Sequence, residues 1–206
     1  MLPAVVAYAE GLVPVLDDTP THELGLRLAA AAVDAHAMAG NLAFQAGDVL
    51  LTHRHLAQAS QVAEASGDPL LRARAWAMLA KYVYSPLPNG RGSARLAVSY
   101  LGKARALARH ADGYTRAWLL ASLAEQAAEP ADVKLCQWAV HAAGRALDTA
   151  TGHAGGFFSP QGRYGDVAVY LHGVYGRVAG LSGRLSAPAA PELRRGRAGA
   201  ERPSTH

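Results

Sequence analysis

The stretch Thr52-His53-Arg54-His55-Leu56-Ala57-Gln58-Ala59-Ser60-Gln61-Val62-Ala63 decides the fold, because its small and apolar residues recur with helical spacing. Thr52, Leu56, Ala59 and Ala63 are four, three and four residues apart, which puts them on one side of an α-helix. The stripe returns 45 residues later as Ala97, Leu101, Ala104 and Ala108, and 39 residues after that as Cys136, Val140, Ala143 and Leu147. Its third position, Ala59, Ala104 or Ala143, is small every time, as it must be where a neighbouring helix crosses with its backbone close. The preceding segments carry an equivalent small residue at Gly40, Ala80 and Ala124. Helix pairs that are incomplete alone and become buried by stacking on the next pair account for both regularities.

Punctuation divides the chain into pieces of helical length. Thr19-Pro20 is expected to open a helix that Gly47 closes, and Asp48 to cap the next, which runs to about residue 66 before Gly67 stops it. Asp68-Pro69, a capping residue followed by a first-turn proline, starts another. A longer break at residues 85–92 precedes Ser93, which can cap a helix to about residue 110, and later breaks fall at Asp112-Gly113, 130–132 and 152–162. The shorter connections force antiparallel neighbours. Residues 1–16 are apolar, contain Glu10, Pro3 and Pro14 but no Lys or Arg, and read as a short docking helix rather than a signal peptide with its basic start. Residues 163–181 could form the first helix of one more pair, weakened by Gly173, Gly176 and Gly180. The expected organisation is a helical domain over residues 1–183 and a disordered tail over 184–206, where Ser, Gly, Pro, Ala and Arg dominate.

Composition agrees with helices. The 206 residues are 50% hydrophobic and include 45 Ala, 15 Val, 7 Thr and no Ile, so the residues that build strands are scarce. An all-α fold follows. The formal charge of +4 dissolves on division, since residues 1–183 hold 15 basic and 14 acidic groups and the tail holds 5 against 2. Arg72 and Arg74 in one helix and Arg194-Arg195-Gly196-Arg197 in the tail are the footholds for phosphate, too few for sequence-specific nucleic-acid recognition. Cys136 is the only cysteine, which excludes an intramolecular disulfide and makes a cytoplasmic location the default. No run of about twenty uncharged apolar residues exists to span a bilayer.

Residues able to do chemistry are scattered. His53 and His55, two apart on a helix, point about 200° away from each other and read as two surface or half-buried side chains rather than metal ligands. His22-Glu23 lacks a second His one turn on, and His36 and His141 sit singly in helices, where a hydrogen-bonded or exposed side chain is expected rather than a ligand. Cys136 lies on the buried stripe, where an apolar setting makes a poor nucleophile. The stretches Asn89-Gly90-Arg91-Gly92 and Gly152-His153-Ala154-Gly155-Gly156 lack the strand and Lys-Ser/Thr of a phosphate loop and read as turns. Asp17-Asp18, Glu125 with Glu129, and Asp132 read as a solvated face. No catalytic set, metal site or cofactor is expected.

The segment Gly40-Asn41-Leu42-Ala43-Phe44-Gln45-Ala46-Gly47-Asp48 resembles the first helix and turn of a tetratricopeptide repeat. The region from His53 to Leu79, with His55-Leu56-Ala57-Gln58-Ala59 and Ala63-Glu64-Ala65-Ser66-Gly67-Asp68-Pro69, is similar to the tetratricopeptide-like part behind the DNA-binding head of many actinobacterial helix-turn-helix regulators. The likeness covers residues 20–150; the intervals of 45 and 39 exceed the usual 34, and the Arg-rich head is not in this sequence. It implies a tetratricopeptide-like α-solenoid of stacked antiparallel hairpins that binds with the first helix of each. Groove candidates are then Asp34, Asn41, Phe44 and Gln45, Arg74, Lys81 and Tyr84, and Trp118 and Glu125. Asn41 matches an asparagine that clamps peptide carboxylates in some relatives, while the lysine expected one turn earlier is Ala37. The leading expectation is a non-enzymatic module in transcriptional control that holds a peptide, a partner protein such as a DNA-binding regulator, or a regulatory ligand, with room for self-association. The alternative is a small-molecule sensor or enzyme with an enclosed pocket lined by Trp118, Tyr82 or Tyr84, and Trp138. The competing structural reading has Phe44, Tyr84 and Trp118 packing between hairpins.

Overall fold

The computed structural model describes residues 1–18, 21–83, 93–128, 132–150 and 173. Among these it forms seven helices and no strand: α1 (Leu2–Asp17), α2 (His22–Gln45), α3 (Val49–Ser66), α4 (Pro69–Val83), α5 (Ala94–Leu107), α6 (Gly113–Ala128) and α7 (Val133–Asp148). The breaks at 85–92 and 152–162, most of the segment 163–181 and the tail 184–206 lie outside the described residues.

Side-chain oxygens fix where the helices begin. Asp48 Oδ1 accepts from the Leu51 N–H at 2.9 Å, Ser93 Oγ from Leu96 at 3.2 Å, and Asp132 Oδ1 from Leu135 at 3.0 Å. Asp68 Oδ1 takes both Leu70 and Leu71, and Asp112 takes the Thr115 N–H on one oxygen and its hydroxyl on the other. Each N–H contact satisfies an amide that the first helical turn leaves without a partner. The start of α2 differs from the expectation at Thr19-Pro20. Thr21, extended at φ −130° and ψ 144°, is the cap, and its hydroxyl accepts from Leu24. At the other ends Gly47 and Gly67 adopt the left-handed φ of +78° and +70° that stops α2 and α3. Pro14 sits inside α1, where its ring removes the hydrogen bond to the Glu10 carbonyl.

Packing follows chain order. The closest partners are α2 with α3, α4 with α5, and α6 with α7; α1 lies on α2, α3 touches α4, α5 touches α6, and α2 reaches past α3 to α4. Eleven of the twelve stripe residues are buried, Leu147 being half-buried. Ala97, Leu101 and Ala104 join Cys136, Val140 and Ala143 in a continuous core with α4 and α6. At Gly40 a Cβ would stand 3.1 Å from Leu56 and 3.4 Å from the Thr52 carbonyl, so the missing side chain is what lets α2 close on α3. Ala124 makes the equivalent approach to α7, where its carbonyl accepts from the Cys136 thiol at 3.3 Å. No helix among the described residues is long and apolar enough to cross a membrane.

Candidate functional site

Two neighbouring clusters gather eight of the nine sequence-derived candidates; the ninth, Tyr84, lies outside the described residues. The first joins α2 to α4. Asp34 pairs with Arg74, whose side chain is only 13% exposed. Burial pushes the Asp34 carboxyl above the usual carboxylate range, and the Arg74 charge and hydrogen bond pull it partly back. About two helical turns further along α2, Asn41 Oδ1 accepts from the Tyr82 hydroxyl at 2.6 Å and from Gln45 Nε2 at 3.3 Å. Phe44 lies against the Tyr82 ring at 5.2 Å between centroids. The asparagine expected to meet a ligand is thus already tied to an aromatic side chain of the next helix pair.

The second cluster surrounds a hollow of about 180 Å³ between α4, α5 and α6, lined by Ala77, Lys81, Leu101, Trp118, Ser122, Glu125 and Gln126. Trp118 and Leu101 supply a buried apolar part of the lining, and Lys81 and Glu125 add residues of opposite charge to it. Lys81 connects the clusters, because its ammonium also lies 5.4 Å from the centre of the Tyr82 ring. Such an arrangement can hold a side chain by its apolar body and its backbone or tip by charge and amide groups.

Tyr82, Ser122 and Gln126 are site residues that the groove list omits. Spacing signals two of them: Trp118, Ser122 and Gln126 are each four residues apart on α6 and share a face, whereas no such spacing marks Tyr82, which packs on the other side of α4 with Ala37, Leu56 and Met78. Trp138 does not join Trp118. It stands 43% exposed on α7 beneath the Arg105 guanidinium, 5.0 Å from its ring centre, and does not line the hollow that holds Trp118; Tyr84, the other aromatic residue of the enclosed-pocket alternative, lies outside the described residues. Trp76 and Tyr100, 4.9 Å apart, are covered by Lys103 at 4.4 Å from the Trp76 ring.

The histidines depart furthest from the sequence reading. His53 is exposed, but His55 is completely buried and its Nδ1 lies 3.0 Å from the Nδ1 of His36, which is also completely buried on α2. The reading that fails is a surface or half-buried His55; His36 is hydrogen-bonded, one of the two states expected of it, but its partner is unexpected. Both positions belong to buried stripes: His36 is one turn before Gly40, and His55 is three residues after Thr52 and four before Ala59. Cys136 is buried on its stripe as expected, and burial, reinforced by Asp132, holds its thiol above the ordinary range. Among the described residues no group of three or more His, Cys, Asp or Glu is placed to hold a metal ion.

Comparison with known proteins finds no matching family model, no similar curated protein and no similar solved structure.

Proposed function

We propose that the chain is a non-enzymatic, tetratricopeptide-like helical-repeat module that holds a peptide segment of a partner protein along α2, α4 and α6, the first helices of successive hairpins. The observation that carries this reading is the convergence of Asn41, Phe44, Lys81, Trp118 and Glu125 on adjacent clusters linked by Lys81. A hollow of about 180 Å³ accepts one side chain rather than a metabolite, since small-molecule pockets run to roughly 300–1,000 Å³. The opposite charges of Lys81 and Glu125 suit a backbone carbonyl and amide flanking that side chain. A place in transcriptional control rests on the resemblance of residues 20–150 alone.

Panning the intact protein against displayed random peptides tests the reading. Selected peptides are expected to bind Lys81→Ala and Glu125→Ala about tenfold or more weakly than wild type, equivalent to about 1.4 kcal/mol. Peptides indifferent to both changes would sink it. One observation favours a second reading: a hollow of about 560 Å³ between α1, α2 and α3 has metabolite size and no Asp, Glu, Lys or Arg among its lining residues, which include Leu16, Leu26, Gln58 and Val62. A thermal-shift screen of uncharged small molecules with a response abolished by Ala29→Phe would move the site there.

A further inference from the structure

His36 and His55 form the least expected contact in the molecule. Their rings lie 5.3 Å apart at 32°, neither side chain exposes any surface, and the short approach joins Nδ1 to Nδ1. Two neutral imidazoles can make that contact only as opposite tautomers, one donating its Nδ1–H and the other accepting on a bare Nδ1. The donor ring then has a bare Nε2 and the acceptor ring an Nε2–H, and both Nε2 atoms are buried without a hydrogen-bond partner. A pair with both outer nitrogens unsatisfied is stable only while it stays uncharged.

We propose that the His36–His55 contact is a proton-operated latch, closing α2 on α3 while both rings are neutral and releasing them in mild acid. The first proton adds to the bare Nε2 of the donor ring and places an imidazolium where no water reaches it. A second would add to the accepting Nδ1, leaving two N–H groups facing each other across 3.0 Å and breaking the bond. Burial holds both rings below the ordinary histidine range; the neighbouring His55 adds to this for His36, and Arg54 does so for both. Glu10, on α1, acts in the opposite direction on each ring, but it is tied to Arg54 at 2.6 Å. From α4, Arg74 is engaged with Asp34 and Arg72 with Glu64. The sign follows: the unfolded chain takes up protons first as pH falls through about 6.5, so the stability present above that value is lost below it, down to the folded-state pKa. His36 lies on α2 between Asp34 and Asn41, the residues that grip Arg74 and Tyr82 of α4, so release at the latch loosens that grip as well. The inference stands on the pair's geometry and is independent of the peptide-binding reading.

Thermal unfolding of the intact chain between about pH 7.5 and pH 5.0, wild type against the double variant His36→Leu/His55→Leu, tests it. Wild type is expected to lose several degrees more than the variant on acidification, the carboxylates being common to both. Amide exchange across α2 and α3, corrected for intrinsic rates, should quicken about tenfold or more in wild type while α6 and α7 change less. Parallel pH curves for the two proteins overturn the latch. Should the double variant fail to fold, nitrogen NMR of wild-type imidazoles decides: opposite tautomers that charge only below the other histidines support it, and ordinary titration of both rings refutes it.

Discussion

A methyl group added at Gly113 would stand 2.5 Å from the Ala146 carbonyl oxygen and 2.8 Å from Ala150 Cα, while one added at Gly102 meets nothing within 4 Å. The two glycines therefore invert the usual expectation that a glycine near a break is the dispensable one. Gly113→Ala forces backbone apart at the start of α6 and is expected to destabilise by about 2 kcal/mol or more, whereas Gly102→Ala, inside α5, removes a helix penalty and should stabilise by up to about 1 kcal/mol. Denaturant unfolding of both variants checks the pair; equal effects would mean that α6 does not approach α7 this closely. The sequence shows Gly113 only as the second half of an Asp-Gly break. Its real constraint is a contact with residues more than thirty positions later, which no local spacing encodes. The same limit hid the His36–His55 contact, since each histidine fits its own stripe but nothing in the chain says that the two stripes face each other at that level.

At the scale of helices the sequence is far more informative, because the physics there is periodic. Thr52, Leu56, Ala59 and Ala63 and their two recurrences are legible as buried faces without knowing what they face, and Asp48, Asp68 and Ser93 are legible as caps, whereas Asp112 and Asp132, read only as parts of breaks, turn out to cap as well. The shift from Thr19-Pro20 to Thr21 shows the limit of such reading, for three hydroxyl-bearing or imino residues in a row offer several starts and only hydrogen bonding to Leu24 chooses. Ala59 and Ala104 are 1% and 0% exposed, so enlarging either must push a neighbouring helix away. Ala59→Leu and Ala104→Leu are expected to cost about 1–3 kcal/mol each. His53→Ala, at an exposed position on the same helix as Ala59, should cost less than about 0.5 kcal/mol. Chemical denaturation of the three resolves this, and a common midpoint would show that the small positions are not where helices meet.

For the molecule as a whole, α4 is the element that three apolar clusters share, one on the side of α5 to α7 and two on the side of α2 and α3. Its Ala73, Ala77 and Ala80 belong to the core built with α5, α6 and α7, whereas its Ala75, Met78 and Tyr82 pack with Val33, Ala37, Leu56, Ala59 and Ala63 of α2 and α3. Units joined through one helix can open separately, so native-state hydrogen exchange in low denaturant should find α2 and α3 exchanging through a smaller opening than α6 and α7. A single opening energy for all helices would show one indivisible core. This division also explains why the candidate site is only half legible: Asn41, Phe44, Lys81, Trp118 and Glu125 follow from the tetratricopeptide resemblance, but Tyr82, which meets Asn41, Phe44 and Lys81, lies on the face of α4 turned toward α2 and α3. Contact almost exclusively between chain neighbours has a last consequence, in the order of synthesis. As the polypeptide leaves the ribosome, α2 and α3 can meet at once, yet the clusters around Val33 and Leu56 stay open until Ala75 and Met78 have cleared the exit tunnel. The nascent chain therefore passes through a stage, as long as the translation of α4, in which its first finished pair of helices still presents an uncovered apolar side to whatever chaperone waits there.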